Sequence, residues 1–169
     1  MALNHSHEQQ IETANRPSRR HRTRRFGFLA LGLALALSAG VLTSCESIES
    51  ERLQVISEVN ASRAAAGVPA VKENVALDIK ADKWAQKMRN ACKIWHSNLA
   101  DGAPDNWRKL GENVGRGGSI AQVHVAYMNS PGHKANVLDP AFNQMGAAAV
   151  WGDCNGYRTV FTVHVFMKG

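Results

Sequence analysis

No C-x-x-C pair, no H-E-x-x-H and no internal repeat or low-complexity tract occurs in the 169 residues. The first absence removes support for a thiolate zinc site or a thioredoxin-like centre. The second removes the helix that carries zinc and base in many metallopeptidases. Cysteine is scarce, with three in all, and no basic patch is interleaved with aromatic residues. Without such a patch a nucleic-acid partner is not expected. The net charge of +6 does not argue for one either, because it is unevenly spread. Residues 1–44 contain six arginines against Glu8 and Glu12, which leaves only 14 basic and 12 acidic residues in the remainder.

That first segment has the order of an export signal. Arg16, Arg19, Arg20, Arg22, Arg24 and Arg25 form a basic region, and an uncharged, mostly apolar stretch follows from Phe26 to Ser44. It ends in Leu42-Thr43-Ser44-Cys45, which resembles the bacterial lipobox, where an aliphatic residue and two small ones precede the cysteine that receives lipid. The alternative is a retained anchor, for which Phe26 to Leu42 is at the lower limit of the ~17–25 residues a spanning helix needs. The expected organisation is a lipoprotein-type signal peptide over 1–44, a tether over 45–52 and one domain over 53–169. Lipidation at Cys45 predicts a protein held on the extracytoplasmic face of a cell membrane, with plain secretion as the alternative. Cys92 and Cys154 are then left as an even pair in an exported chain, which reads as a disulfide, the alternative being two buried thiols.

Within the domain, Leu53, Ile56 and Val59 mark one helical face, which Gly67 and Pro69 interrupt. Asn74 is placed to cap a second helix whose buried stripe is Leu77, Ala81, Trp84, Ala85 and Met88. From Cys92 to Gly118 periodicity is lost and glycine is frequent, which predicts an irregular, functional stretch. Ser119-Ile120-Ala121-Gln122 is a capping box for a helix to about Asn129, and Ser130-Pro131 restarts the chain as a short helix with His133 in its first turn. Met145–Trp151 and Tyr157–Phe166 read as strands joined through Asn155-Gly156, and the second is apolar on both faces, as in a sheet covered on both sides.

Four motifs follow one another along this domain: His96-Ser97, then Gly111-Glu112-Asn113-Val114, then Asn129-Ser130-Pro131-Gly132-His133-Lys134-Ala135-Asn136-Val137-Leu138, then Phe142-Asn143-Gln144-Met145-Gly146. The ordered set resembles the bacterial, extracytoplasmic branch of the CAP superfamily (cysteine-rich secretory, antigen 5 and pathogenesis-related proteins, also called SCP-like), over roughly Leu53 to Phe166. The resemblance implies an α+β fold, a single α–β–α sandwich with a central antiparallel sheet. It also implies a cavity lined by two histidines and two acids, with the histidines able to hold a divalent metal. Carried onto this chain, these are His96, His133 and Glu112, while the second acid falls at Ser130, which is no carboxylate.

Two imidazoles and one carboxylate are a usual set for zinc or another divalent metal, with water in the fourth position. Glu112 is read as a ligand or, alternatively, as a group that orients a histidine or acts as a base. No residue is assigned as catalytic, and no nucleophile-elbow glycines surround Ser97. His124 is expected on a solvated helix face and His164 in a strand with a satisfied ring. The family has no single agreed activity, so two function classes stand. One is a membrane-tethered module that binds an unknown envelope ligand, lipid or protein. The other is a metal-dependent, peptidase-like hydrolase.

Overall fold

The computed structural model describes the backbone from Ala39 and the side chains from Ile48, through to Gly169. Residues 1–38, most of the expected leader, lie outside the described residues, as does the side chain of Cys45. Eight elements follow in order: α1 (Ala39–Ala65), β1 (Lys72–Glu73), α2 (Val75–Asn90), β2 (Lys109–Gly117), α3 (Ile120–Asn129), α4 (Pro131–Leu138), β3 (Gln144–Cys154) and β4 (Tyr157–Lys168). The expected α–β–α sandwich is what they build.

β4 is the centre of the sheet, whose order is β1-β3-β4-β2. It runs antiparallel to both β3 and β2, while β1 adds two residues parallel to β3, so the sheet is mixed at that edge. Alternation along β4 divides the interior in two. Val160 and Phe166 pack with Val59 of α1, Val123 and Tyr127 of α3 and Val137 of α4. Phe161, Val163, Val165 and Met167 pack on the other face with Leu77, Ala81, Ala85 and Met88 of α2. A strand apolar on both faces therefore sits where the sequence pattern put it. α2 approaches β3 so closely that a Cβ at Gly146 would lie 2.1 Å from the Leu77 carbonyl carbon.

The local signals act as expected at several element ends. Asn74 Oδ1 accepts from the N–H groups of Ala76 and Leu77 at 3.0 and 3.2 Å. Ser119 Oγ accepts from Gln122 N at 3.2 Å. Asn155 and Gly156 both have positive φ, at 54° and 81°, as a two-residue hairpin requires. Residues 45–52, expected as a tether leading into a helix, are helical and continuous with α1. No glycine or proline interrupts residues 41–66, and the turn carrying Glu51 and Arg52 is tied to the domain. Trp151 Nε1 donates to Glu51 at 2.7 Å, and Arg52 Nε donates to Glu73 at 2.8 Å.

The main departure is β2, which lies inside the stretch expected to be irregular. Its glycines concealed it because they are spacers for the layer above. A Cβ at Gly111 would meet the Phe142 ring at 2.9 Å, and one at Gly115 would meet Tyr127 Oη at 2.7 Å. Glycine in a strand commonly marks such close approach, and it erases the alternation by which a strand is recognised.

Arg63, at the end of α1, is fully buried. Its guanidinium donates to four carbonyls: Pro69 at 2.7 Å, Val137 at 2.8 Å, Asp139 at 2.9 Å and Phe142 at 2.9 Å. Arg63→Met should cost about 3–5 kcal/mol, since it leaves these carbonyls without donors. The urea midpoint should fall accordingly, and Arg63→Lys should recover only part of the loss.

Cys92 and Cys154 are bridged, with Cα atoms 5.6 Å apart. Cys92 follows α2 with φ of 48°, and the next N–H, that of Lys93, returns to the Met88 carbonyl at 3.1 Å, a Schellman closure. Replacing both cysteines by alanine should lower unfolding stability by about 2–4 kcal/mol while leaving the far-ultraviolet spectrum unchanged.

Candidate functional site

β2 is an edge strand, and its two central polar residues point to opposite faces. Glu112 stands opposite Val165 in the register and Asn113 opposite His164. Val165 belongs to the α2 side and His164 packs against Tyr127 of α3, so Glu112 and Asn113 serve different layers. The candidate site is built around this edge.

On the α2 side the Glu112 carboxylate is almost wholly enclosed, its side chain 1% exposed beside a His96 side chain that is 58% exposed. Oε1 accepts from His96 Nδ1 at 2.8 Å and from the Ser97 backbone N–H at 2.9 Å. Oε2 accepts from Ser97 Oγ at 2.5 Å. Nδ1 is thus engaged by the carboxylate, and Nε2 is the ring nitrogen left over. Lys80, buried beneath the same loop, donates to the carbonyls of Asn98 and Asp101 at 2.8 and 2.7 Å. Burial lowers the pKa of Lys80, and the nearby Glu112 and Asp101 oppose that shift.

On the other side α4 is clipped to β2 by amides. Asn113 Nδ2 donates to the His133 carbonyl at 3.0 Å, and Asn136 Nδ2 donates to Asn113 Oδ1 at 2.9 Å. Ser130 is the N-cap residue of α4, but its side chain makes no capping bond. It lies instead 3.0 Å from His133 Nδ1. The His133 ring rests on Tyr127, with centroids 5.0 Å apart. Burial and the proximity of His96 both lower the pKa of His133, which keeps the ring neutral at physiological pH.

His96 and Glu112 are thus in direct contact, and His133 lies in the neighbourhood of His96. Among the described residues no group of three or more His, Cys, Asp or Glu side chains is placed to hold a metal ion. Of His96, His133 and Glu112, the two in direct hydrogen-bond contact are His96 and Glu112. Glu112 is occupied by three donors on one face of β2, while His133 belongs to the other. The geometry matches its alternative role, the orientation of His96. Ser97, Asn113, Ser130 and Asn136 complete the frame. Each lies inside a quoted motif, but only side-chain direction distinguishes a frame residue from a spacer.

Two further histidines depart from expectation. His124 is half-buried, with Nε2 at 2.8 Å from Ser62 Oγ and Nδ1 enclosed without a partner. His164 is enclosed too, its Nδ1 likewise unpartnered. Burial first, then His124 and His133, push the His164 pKa down to about 3. Above pH 6.5 the ring is neutral folded and unfolded. Below that the unfolded chain gains a proton that the folded chain refuses, so stability falls as pH drops from 6.5 towards 3. The slope from this one residue approaches ~1.4 kcal/mol per pH unit. His164→Phe should flatten the acid limb of the stability curve by that amount, as read from urea unfolding at pH 7, 6, 5 and 4.

Comparison with known proteins agrees with this architecture. Residues 56–166 match the family described as CAP, the cysteine-rich secretory protein family. The uncharacterized protein YkwD of Bacillus subtilis is 27% identical over 113 residues, 62% of this chain and 44% of that protein, so this chain spans less than half of its relative's length. An extracellular SCP-domain protein of Bacillus anthracis superposes with a TM-score of 0.62 at 16% identity, covering 79% of this chain and 45% of the other. An outer surface protein of Borrelia burgdorferi superposes with a TM-score of 0.60 at 18% identity, covering 70% and 92% of the two chains. The family match covers well over half of the sequence, and the chain belongs to the CAP family of cysteine-rich secretory proteins.

Proposed function

We propose that the protein is an extracytoplasmic binding module, held to a membrane by lipid at Cys45, whose His96–His133 cleft takes a divalent metal and an envelope ligand. The observation that carries the binding reading is the state of Glu112. Its carboxylate is 1% exposed and bonded to His96 and Ser97. A general base needs an oxygen within reach of substrate or water, and three of the roughly four acceptor sites of this enclosed carboxylate are already taken. With serine at position 130, no second carboxylate stands at the position where the family pattern places one. The outer-surface and extracellular descriptions of two similar chains support an extracytoplasmic location. Among the described residues no helix is long and apolar enough to cross a membrane.

The residues present suit a two-histidine metal site. Both Nδ1 atoms are engaged, one with Glu112 and the other with Ser130, so each Nε2 is the atom left for an outside group. A carboxylate behind a histidine is the usual means of fixing a metal-binding ring. His96 and His133 would hold the ion, which would present open positions to a ligand oxygen or nitrogen. Glu112 keeps the His96 ring in orientation, and the burial of His133 keeps it deprotonated.

Zinc titration of the purified mature chain by calorimetry should give one site. His96→Ala and His133→Ala should each abolish it, whereas Glu112→Gln should weaken it by only ~10–100-fold. Equal loss in all three variants would make Glu112 a direct ligand. Sustained hydrolysis of peptides by the wild type, lost in Glu112→Gln at unchanged thermal midpoint, would replace the binding reading with the hydrolase one.

A further inference from the structure

The face of α2 turned away from the core is not an ordinary solvated surface. Val75, Ile79, Lys83 and Lys87 follow one another at four-residue spacing, opposite the buried stripe of Leu77, Ala81, Ala85 and Met88. Val75 is 69% exposed and Ile79 51%, and Ile48 of α1, also 51% exposed, joins them around a cavity of about 250 Å³. An adjoining cavity of about 270 Å³ shares Ile79 and Lys83 with the first and adds Lys80, Trp84 and Lys87. An aliphatic band thus passes directly into a cationic one.

The band is net cationic around the second cavity, where Lys80, Lys83 and Lys87 stand against Asp101, while Asp78 and Asp82 line the first beside Lys83. Lys83 and Lys87 enter no ion pair among those the described residues form, and Lys87 Nζ lies over the Trp84 ring at 4.9 Å. The acid on the same turn, Asp82, accepts from Gln86 at 2.6 Å. Arg52, at the rim, is taken up by Glu49 and Glu73.

The position of this face in the chain indicates what covers it. α1 is continuous from Ala39, so Cys45 precedes Ile48 by three residues, ~4.5 Å of helix rise. Lipid carried by Cys45 would enter a membrane within one helical turn of Ile48, so the surface that receives it lies beside Ile48. Aliphatic side chains at the acyl boundary with lysines at the headgroups is the arrangement that anionic lipid selects.

We propose that the α2 face bearing Val75, Ile79, Lys83 and Lys87, together with Ile48, rests on an anionic lipid bilayer. The proposal deepens the anchored-module reading and relies on it for proximity to the membrane. The domain then lies down on the surface instead of standing off it.

The test is lysine footprinting of the full lipidated chain in vesicles of phosphatidylcholine alone or mixed with phosphatidylglycerol. A water-soluble acylating reagent marks exposed lysines, which mass spectrometry then quantifies. Labelling of Lys83 and Lys87 should fall about fivefold or more when phosphatidylglycerol is present, and Lys134 and Lys168 should not change. Ile79→Glu, or 0.5 M salt, should restore the labelling. Equal labelling in both vesicles, protection that ignores lipid charge as a second copy of the chain would give, or protection of Lys134 and Lys168 instead, would overturn the proposal. A chain recovered without lipid at Cys45 would remove the anchor reading alone. The footprint, read then with phosphatidylglycerol vesicles in excess, still decides the face.

Discussion

A guanidinium removed from water must find a partner for its donors, and Arg63 finds backbone where a carboxylate would be the common choice. Burial lowers its pKa, opposed only by the more distant Asp139. The four carbonyls come from the turn after α1, the end of α4 and the loop leading to β3. Val137 lies in the last turn of α4, where carbonyls have no partner within the helix. One side chain therefore ends one helix, caps a second and sets the loop that carries Phe142. Because Phe142 fills the space left by Gly111, the same residue also fixes how closely α4 approaches β2. The position of His133 follows from that approach.

The edge strand decides what the cleft does. A residue in the middle of a sheet serves one layer, but an edge strand allows loops from both layers to meet around it. His96 arrives over the α2 side and His133 over the α4 side, each held by a group on β2 or beside it. Where the family pattern places a second carboxylate, Ser130 supplies a hydroxyl that does not bring a negative charge to His133. The two imidazoles consequently differ: His96 is exposed and backed by a carboxylate, while His133 is half-buried and backed by a neutral group.

Much of this was legible in the sequence, and the failures share a cause. Asn74, Ser119 and Asn155-Gly156 act through bonds to neighbours in sequence, so their roles are visible locally. The apolar run of β4 is equally plain because both of its faces are buried. β2 was hidden because Gly111, Gly115 and Gly117 answer to Phe142, Tyr127 and Val123, which lie elsewhere in the chain. The turn of α1 at Glu51 and Arg52 is likewise held by Trp151 and Glu73, far along the chain. For the site, His96, Glu112 and His133 were named from motifs, but the division of Glu112 and His133 between two faces depends on strand parity. Parity was unreadable while β2 itself was unrecognised. His164 and His124 were misjudged because burial is a tertiary property, and an enclosed, unpartnered ring leaves no local trace.

The bridge between Cys92 and Cys154 spans 62 positions, and its two ends belong to units that form separately, a helix and a hairpin. Beyond the Gly117–Val160 pair the hairpin of β3 and β4 continues without β2 beside it. A two-stranded ribbon has little stability alone. Docking of α2 on the sheet brings the sulfurs together, and bridging such distant positions without it carries a loop-closure cost in entropy. The bond then acts as a latch on the docked fold. A thiol-rich compartment would leave the chain correctly folded but unlatched, with the projecting ribbon and the start of the His96 loop as its first points of opening.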